Sequence, residues 1–472
     1  MKHTQSRTTG VFVVALLATT LLAEHPKAPS LVGHDDRYKT DILLILAHQD
    51  DDTAFSGYLA RAIYDQRRSV AAVFITRGDA GESAVSNERG NALGAEREIE
   101  ARRALASLGI TNVWFLHAPN GPNTQGVLNV LEYWDHGSVL GQVVRLIRLT
   151  QPDVILSMLP AASAGENHPD HQAAGVLATE AFDLSGDPVI FAEQLGASGD
   201  DDPGGHNPEG LHPWQPKKIY FWSDAFDSDS SQWVDPPPAS PFRKNFLEGA
   251  GPVYSNIELS PSRHVTYAQL AAEHASFYLS QDGAVAREAL AKGNFKDFEP
   301  HERLVLGKSL VGGNVIGDVF DRVAPGAIAF ARVERFPSKP REGLSMEFGG
   351  SWQFYKEFWT AHNLTQLAEL LPIPEVSLRM GKRLNVPIVL HNDSENAEAV
   401  NVTAVLPEGW SNLTKYSVYP LKAGESYPVS MVLMTPASGK VGWQEITWKT
   451  DADGRQAGSL TLRVCLRRPS QP

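Results

Sequence analysis

Two kinds of segment alternate along the first part of the chain, and they differ in how their apolar residues are spaced. The runs LLILA at 43–47 and AVFIT at 72–76 are apolar at nearly every position, which is typical of strands buried on both faces of a parallel sheet. Strands are predicted at 42–47, 70–76, 113–117 and 154–158, and helices from about residue 52 and at 95–108, 139–149 and 171–181. Strands that alternate with helices predict a doubly wound α/β domain with a mostly parallel, Rossmann-like sheet.

The middle of the chain contains few long periodic segments. Gly, Pro and Asp are frequent at 186–252, as in DDPGGHNPEG and DPPPASP, and these residues interrupt helices and strands. We expect long loops there, which serve either as a lid or binding loop or as a surface insertion. Helical periodicity returns at 267–278 and 283–293, whereas 301–374 is a connecting region to which the pattern assigns no structure.

From residue 375 the pattern changes to short strand-like runs separated by turn residues. These runs are VSLRM, NVPIVLHN, AVNVTAVLP, YPVSMVLMT, QEITWKT and GSLTLRV, all within 375–466. Closely spaced strands of this kind predict a small β-sandwich. Trp410, Trp443 and Trp448 are interpreted as core residues of this sandwich rather than as platforms for sugar rings, because large aromatic side chains dominate small cores.

Length and charge limit the classes of partner. At roughly 150 residues per domain, a chain of 472 residues divides into two or three folded units. Fifty-five acidic residues against 42 basic ones give a formal charge of -13, which opposes binding to nucleic acid or anionic lipid. We therefore expect no nucleic-acid partner, and the sequence leaves the oligomeric state undetermined.

The N-terminus has the layout of a signal peptide. Lys2 and Arg7 precede an apolar run at 11–22, and Ala23 is followed by a polar residue, so residues 1–23 are predicted to be removed on export. The mature protein is then expected to be secreted or periplasmic and to lack a stable membrane span; the alternative is an N-terminal membrane anchor. Because Cys465 is the only cysteine, an intrachain disulfide and a cysteine-built zinc site are excluded.

A polar cluster follows the first predicted strand. His48 and the consecutive carboxylates Asp50, Asp51 and Asp52 lie at the carboxyl edge of the sheet, where open parallel sheets bind ligands. Adjacent carboxylates repel one another unless a cation compensates their charge. The alternative is that an aspartate caps the following helix, which explains one carboxylate but not the cluster.

A second polar cluster follows the fourth predicted strand, where residues 166–171 read ENHPDH. His168, Asp170 and His171 are of the residue types that bind zinc through neutral imidazole and carboxylate, although Asn-x-Pro-Asp is also a common turn and capping sequence. If the strand order is 3-2-1-4, strands one and four are neighbours and their carboxyl ends flank one crevice. Both clusters would then face each other.

Together, the two clusters resemble a known family. His48-x-Asp50-Asp51 combined with His168-Pro169-Asp170-His171 is similar to the LmbE-like, or PIG-L type, zinc-dependent N-acetylglucosaminyl deacetylases, over roughly residues 40–190. The resemblance implies that His48, Asp51 and His171 bind one Zn²⁺, or another divalent ion, in a domain at 24–300.

The resemblance also implies roles for residues that do not bind the metal. Asp50 is expected to act as the general base, and His168 to assist the tetrahedral intermediate and the leaving group. Asp170 is expected to orient that histidine. Arg97 resembles the family's substrate-binding arginine, although a solvated helix face shared with two other arginines would equally explain an arginine at this position.

Three features qualify the resemblance. Family members usually read His-Pro-Asp-Asp-Glu, whereas this chain has Gln49 and Asp52 in place of the proline and the glutamate. His274 lies in a segment that resembles the family's late alanine-histidine-x-serine sequence, but a helical histidine among alanines is usually structural. The C-terminal module at 375–466 resembles the Ig-like modules of secreted carbohydrate-active enzymes.

The resemblance therefore implies an exported zinc-dependent hydrolase that deacetylates an N-acetylated amino sugar or glycoconjugate, with a small-molecule sugar as its partner. Two alternatives remain open. One is amide hydrolysis of a different acylated conjugate, which requires the same metal site. The other is a non-catalytic carbohydrate-binding protein that keeps the fold.

Overall fold

The computed structural model describes residues 34–120, 127–160, 168–196, 209–223, 249–330, 343–370, 374–452 and 454–468. The predicted signal peptide at 1–23 lies outside the described residues. The helices are α1 (Ser56–Ala60), α2 (Asn91–Ser107), α3 (Val127–Tyr133), α4 (His136–Thr150), α5 (Pro169–Leu184), α6 (Tyr267–Ala275), α7 (Gly283–Lys292) and α8 (Ser351–Ala361). None of the described helices combines the length and the apolar character that a membrane crossing requires.

The strands form two groups, one in each half of the chain. The first comprises β1 (Ile42–Leu46), β2 (Val70–Thr76), β3 (Val113–Ala118), β4 (Val154–Met158), β5 (Lys218–Trp222), β6 (Val253–Tyr254), β7 (Glu302–Arg303) and β8 (Val305–Ser309). The second comprises β9 (Leu344–Phe348), β10 (Glu375–Arg379), β11 (Arg383–Asn392), β12 (Glu398–Val405), β13 (Ser411–Asn412), β14 (Val418–Leu421), β15 (Glu425–Met434), β16 (Gly442–Ala452) and β17 (Arg455–Arg467).

The N-terminal sheet confirms the predicted α/β class. Its strand order is β3-β2-β1-β4-β5-β8, in which β1 to β5 are parallel and β8 runs antiparallel to β5. The order 3-2-1-4, on which the expected meeting of the two polar clusters depended, is therefore present. Because β1 is the central strand at which the chain reverses direction, the crevice lies between the ends of β1 and β4.

Hydrophobic cores on both faces of this sheet explain why its central strands are apolar at every position. Leu43 and Ile45 point into the core shared with α3, α4 and α5, whereas Ile42, Leu44 and Leu46 point into the core shared with α1, α2 and α6. Successive residues of a strand face opposite sides, so a strand covered on both sides needs apolar residues throughout.

The prediction of loops throughout 186–252 was wrong at one place. Lys218–Trp222 forms β5, an interior strand of the sheet whose Ile219, Tyr220 and Phe221 are completely buried. The short run IYFW is surrounded by Gly- and Pro-rich sequence, and five residues are too few for a clear periodic signal. Pairing with β4 and β8, which the local sequence does not show, stabilises this strand.

The C-terminal strands form two facing sheets, in agreement with the predicted sandwich. One sheet has the order β10-β17-β16-β12-β14 and the other β13-β15-β11-β9. Trp448 is completely buried between them and Trp410 is nearly so, whereas Trp443 is partly exposed beneath the guanidinium of Arg463. Two of the three tryptophans therefore lie in the core.

The stretch 301–374, to which no structure was assigned, contributes to both units. It contains β7 and β8 beside the α/β domain, β9 at the edge of the sandwich, and α8. Tyr355, Phe358 and Trp359 on α8 pack into the core of the α/β domain, and the Tyr355 hydroxyl donates to Gln172 Oε1 at 2.5 Å. Through these contacts, helix α8 links the β-sandwich to helix α5 of the α/β domain.

Candidate active site

A polar cavity opens at the carboxyl ends of β1 and β4. Its volume is about 480 Å³, which is within the usual range for a small-molecule site. The lining residues are His48, Asp50, Asp51, Ala80, Gly81, Arg97, Asn120, His168, His171 and Gln281. Six of the seven predicted site residues thus line one cavity, and the seventh, Asp170, lies directly behind His48.

The loop after β1 orients Asp51 with backbone hydrogen bonds. Its Oδ2 accepts from the backbone N–H groups of Ala47 and His48, at 3.0 and 2.8 Å, and a 3-10 turn at Asp51–Phe55 follows. These two bonds leave Oδ1 directed at the histidines, 3.0 Å from His171 Nε2 and 3.6 Å from His48 Nδ1. Asp51 therefore stabilises its own loop with Oδ2 and directs Oδ1 toward the site.

Three potential ligand atoms converge at this point. His48 Nδ1 lies 3.1 Å from His171 Nε2, so the edges of the triangle formed with Asp51 Oδ1 measure 3.0, 3.1 and 3.6 Å. Tetrahedral Zn²⁺ with ligands at about 2.0–2.1 Å requires ligand separations of roughly 3.3 Å. The triangle therefore fits a zinc-sized cation, and such an ion would compensate the close approach of two ring nitrogens.

His168 lies close to this triangle. Its ring is 4.6 Å from that of His48 and 4.8 Å from that of His171, centre to centre. One ring nitrogen from each of the three histidines lies within 4.8 Å of the corresponding nitrogens of the other two. His168 therefore lies beside the triangle that Asp51 completes, close enough for its ring to be a further potential metal ligand.

A carboxylate behind His48 fixes the orientation of its ring. Asp170 Oδ2 lies 3.2 Å from His48 Nε2 and accepts a 2.8 Å hydrogen bond from Asn120 Nδ2. A metal-binding imidazole commonly donates its other N–H to a carboxylate, which fixes the tautomer. Asp170 therefore directs His48 Nδ1 toward the triangle. Its expected role toward His168 stays a prediction.

Asn120 is a site residue that the sequence analysis missed. It follows β3, and its amide reaches both Asp170 Oδ2 and the neighbourhood of His48 Nε2, at 2.8 and 3.0 Å. Its position just beyond a strand of the same parallel sheet was the available signal, because all such strand ends reach one edge.

The electrostatics of the loop reflect close opposite charges. Burial raises the pKa of Asp51, but the charges of His171 and His48 outweigh burial and lower it well below the usual value. Burial lowers the pKa of His48, but the charge of Asp51 and the hydrogen bond with Asp170 outweigh that effect and raise it to about 9. In the metal-free protein the cluster is thus a carboxylate beside a protonated imidazole.

Asp50 has the properties required of a general base. It lines the cavity, remains partly exposed, and precedes the turn that orients Asp51. Burial and the charge of Asp51 raise its pKa to about 6. A carboxylate with a pKa near neutrality can both accept and release a proton at physiological pH.

His168 is held in one tautomer at the start of α5. The backbone N–H of Asp170 donates to His168 Nδ1 at 3.1 Å, so the neutral ring carries its proton on Nε2. Burial and the charges of His48 and His171 lower its pKa to about 3. His168 is therefore a neutral hydrogen-bond donor in the metal-free site, rather than an imidazolium.

Arg97 is buried, which contradicts the solvated-face alternative. Its Nη1 donates to Gly78 O at 2.7 Å and its Nη2 to Glu82 O at 3.2 Å, so it holds the loop after β2. Gly78 has φ +63°, and a Cβ there would lie 2.4 Å from Gln49 Oε1 and 2.5 Å from Arg97 Nη1. Only glycine fits between these two side chains.

The two departures from the family pattern both make buried contacts. Gln49 Nε2 donates to Thr76 O at 2.6 Å and so joins the ends of β1 and β2. Asp52 is completely buried, accepts from the Tyr278 hydroxyl at 2.7 and 2.8 Å, and lies 3.1 Å from His274 Nε2. His274 therefore has a structural role next to Asp52 in the loop after β1, as its helical surroundings suggested.

The fold and the site together define a doubly wound α/β protein with a cluster of potential metal ligands at its switch point. Comparison with known families makes this class more specific. Residues 43–182 match the family model "PIG-L: GlcNAc-PI de-N-acetylase", a stretch that contains every predicted site residue. The chain therefore contains a PIG-L, or LmbE-like, deacetylase domain.

Two named deacetylases are similar to part of the chain. The 1D-myo-inositol 2-acetamido-2-deoxy-alpha-D-glucopyranoside deacetylase of Streptomyces avermitilis is 27% identical over 194 residues, which cover 38% of this chain and 60% of the relative. Deacetylase 2 of the same description from Frankia casuarinae is 32% identical over 170 residues, or 33% and 53% of the two chains. The chain thus spans only about half to three fifths of these relatives.

Among solved structures, an N,N'-diacetylchitobiose deacetylase from Pyrococcus horikoshii is similar at a TM-score of 0.38 and 16% identity, covering 57% of this chain and 84% of that one.

Proposed function

We propose that this protein is an exported, zinc-dependent hydrolase that removes the acetyl group from an N-acetylated amino sugar or glycoconjugate. The observation that carries the proposal is the triangle of His48 Nδ1, Asp51 Oδ1 and His171 Nε2, with edges of 3.0–3.6 Å, in the wall of a cavity. The substrate class is supported by the relatives, which are named as deacetylases of a 2-acetamido-2-deoxy-glucopyranoside.

The residues around the triangle provide the remaining chemistry of amide hydrolysis. A zinc ion held by His48, Asp51 and His171 would supply Lewis acidity toward water and toward the amide carbonyl group. Asp50, whose pKa is raised to about 6, accepts a proton as water attacks the carbonyl carbon. The carbonyl oxygen then gains negative charge, and His168 Nε2–H can donate a hydrogen bond to it.

Cleavage of the carbon–nitrogen bond completes the proton balance. The departing amine needs one proton, and Asp50 holds the one it accepted from water. Return of that proton to the nitrogen yields the free amino sugar and acetic acid, which ionises to acetate, and restores the carboxylate of Asp50. Arg97 and Gln49 hold the loop that contributes Ala80 and Gly81 to the cavity wall.

Metal analysis and an acetate-release screen test the activity. The purified chain is expected to carry about one zinc ion and to release acetate from N-acetylglucosamine, chitobiose or peptidoglycan fragments. If it binds these sugars without releasing acetate, the non-catalytic alternative is correct. If it releases only other acyl groups from other conjugates, the assigned substrate class is wrong.

Export is a separate part of the proposal and needs its own test. It is supported by the basic start and the apolar run at 11–22 in the sequence. Expression of the full chain in a bacterial host, followed by fractionation and N-terminal sequencing, is expected to yield a mature form that begins after Ala23. Full-length protein in the membrane fraction would instead favour the anchor alternative.

A further inference from the structure

Gln281 lines the same cavity as His48, Asp50 and His171, although it lies far away in the sequence. Its amide oxygen Oε1 is buried and has no hydrogen-bond partner among the residues that the structure describes. A buried acceptor without a donor is unfavourable, and proteins retain such groups mainly where a ligand or water satisfies them. Gln281 therefore differs from those cavity-lining residues whose polar groups already have hydrogen-bond partners in the protein.

The segment that carries Gln281 is anchored firmly. The Tyr278 hydroxyl donates to both oxygens of Asp52, at 2.7 and 2.8 Å. Ser280 donates to Glu100 through its backbone N–H at 2.9 Å and its hydroxyl at 2.5 Å. These contacts are buried, so the segment 278–281 holds a defined position against the α/β domain.

The same anchors couple this segment to the catalytic elements. Asp52 directly follows the predicted ligand Asp51, and Glu100 lies one turn after Arg97 on α2. Ser280 O also accepts from the backbone N–H of Ala84, in the loop after β2. Gln281 is thus held by the elements that position the metal triangle and Arg97, as expected for a pre-organised binding residue.

A second unpartnered group, of the opposite polarity, belongs to another residue that lines this cavity. Arg97 lines it, and the Nε of Arg97 is buried and likewise lacks a hydrogen-bond partner within the described part of the chain. A hydroxyl group can donate one hydrogen bond and accept another. The chemistry of the cavity therefore suits a polyhydroxylated ligand better than a hydrocarbon acyl chain.

We propose that Gln281 is a specificity-determining residue that accepts a hydrogen bond from a ring hydroxyl of the amino-sugar substrate. This inference rests on the proposed deacetylase function and makes its substrate class more specific. A site that binds a hydroxyl through a buried polar group discriminates strongly against the analogue that lacks it, because the protein group is then left unpaired.

A substitution combined with deoxy substrates tests this role. Acetate release is measured for wild type and for Gln281→Leu, with N-acetylglucosamine and its 3-, 4- and 6-deoxy analogues. In the wild type, one deoxy analogue is expected to have a kcat/KM about tenfold or more below that of the parent sugar. In Gln281→Leu, kcat/KM for the parent sugar is expected to fall by a similar factor. The deoxy analogue should then have the same kcat/KM as the parent sugar, because the substitution and the missing hydroxyl remove the same contact.

Gln269→Leu is the matched control, since Gln269 lies on α6, its side-chain amide donates to Glu273 Oε1 at 3.0 Å, and it does not line the cavity. It should keep the full deoxy penalty, and both variants should retain zinc and the wild-type melting temperature. If Gln281→Leu behaves as Gln269→Leu does while the wild type releases acetate, the inference is overturned and the proposed function stands. If the wild type acts on no amino sugar, the proposed function fails and the inference fails with it.

Discussion

His48 in the α/β domain and His391 in the β-sandwich are both buried histidines beside a carboxylate, yet their surroundings differ. His391 lies on β11, with Nδ1 2.7 Å from Ser426 Oγ and Nε2 3.0 Å from Glu347 Oε1. Each of its ring nitrogens thus meets an oxygen. His48 meets the carboxylate of Asp170 through Nε2 at 3.2 Å, whereas Nδ1 faces a nitrogen of His171 at 3.1 Å as well as Asp51 Oδ1 at 3.6 Å.

This difference separates a structural histidine from a proposed metal ligand. A nitrogen that faces an oxygen forms a hydrogen bond across two strands, and such a pair needs no further partner. Two ring nitrogens and a carboxylate oxygen converge on one point, and once His48 has lost its proton all three present lone pairs that a cation satisfies. Residue type and burial alone would not have distinguished His48 from His391.

The largest effect is expected from removing a ligand of the triangle. His171→Gln should lower bound zinc from about one ion per chain to nearly none and reduce acetate release below detection, because the remaining two ligands cannot retain the ion. The measurement is elemental analysis of the purified protein together with the acetate assay. His391→Gln is the control and should retain both zinc and activity; loss of zinc there would invalidate the distinction drawn above.

The next effect separates metal binding from catalysis. Asp50→Asn removes the proposed general base and is expected to lower kcat by about 10²–10⁴-fold, while zinc content and melting temperature stay unchanged. Asp36→Asn, at an exposed position outside the cavity lining, controls for the loss of one negative charge. An Asp50→Asn enzyme with wild-type kcat would assign the base to another residue.

Much of this site was predictable because its ligands occur in two short motifs. Each motif directly follows an apolar strand, and the order β3-β2-β1-β4 brings the ends of β1 and β4 together. The local sequence therefore identified the site residues, and a general rule of parallel sheets predicted that they lie close together.

The supporting contacts were not predictable in the same way. Tyr278 reaches Asp52 across 226 positions, and Asn120 reaches His48 across 72. No periodicity in the sequence records such pairs, since they depend on how loops return to the sheet edge. The strand β5 was missed for a related reason, because its neighbours β4 and β8 stabilise five residues that carry little signal alone.

A pH effect on metal binding would sharpen the comparison. In the metal-free protein the pKa of His48 is raised to about 9, so the ring is protonated at neutral pH, and zinc must displace this proton. The apparent affinity should therefore rise as the pH increases toward about 9, by roughly tenfold per pH unit for one proton. Calorimetric titration in buffers of different ionisation enthalpy counts the protons released.

Asp170→Asn provides the matched variant for this measurement. Asp170 helps to raise the pKa of His48 through its hydrogen bond, so the variant should release the proton over a lower pH range. Zinc binding that is independent of pH between 6 and 9 in the wild type would contradict the assignment of His48 as a ligand.

The smallest effect concerns His274, a third buried histidine, which lies near the site but resembles His391 in its contacts. Its Nδ1 is 2.9 Å from Ala104 O and its Nε2 is 3.1 Å from Asp52 Oδ2, so both nitrogens face oxygens. We therefore expect the cluster with Tyr278 to support the loop without binding metal. Tyr278→Phe removes one hydroxyl from Asp52 and should cost about 1–3 kcal/mol of unfolding free energy.

The consequence for catalysis should be modest, because the ligands themselves remain. Denaturant unfolding measures the stability change, and zinc stoichiometry should stay near one. Tyr419→Phe, whose hydroxyl bonds to Tyr416 O at the surface of the sandwich, should cost less, since water replaces an exposed partner. Complete loss of zinc from Tyr278→Phe would show that the loop cannot form the triangle alone, and the cluster beneath it would then belong to the metal site.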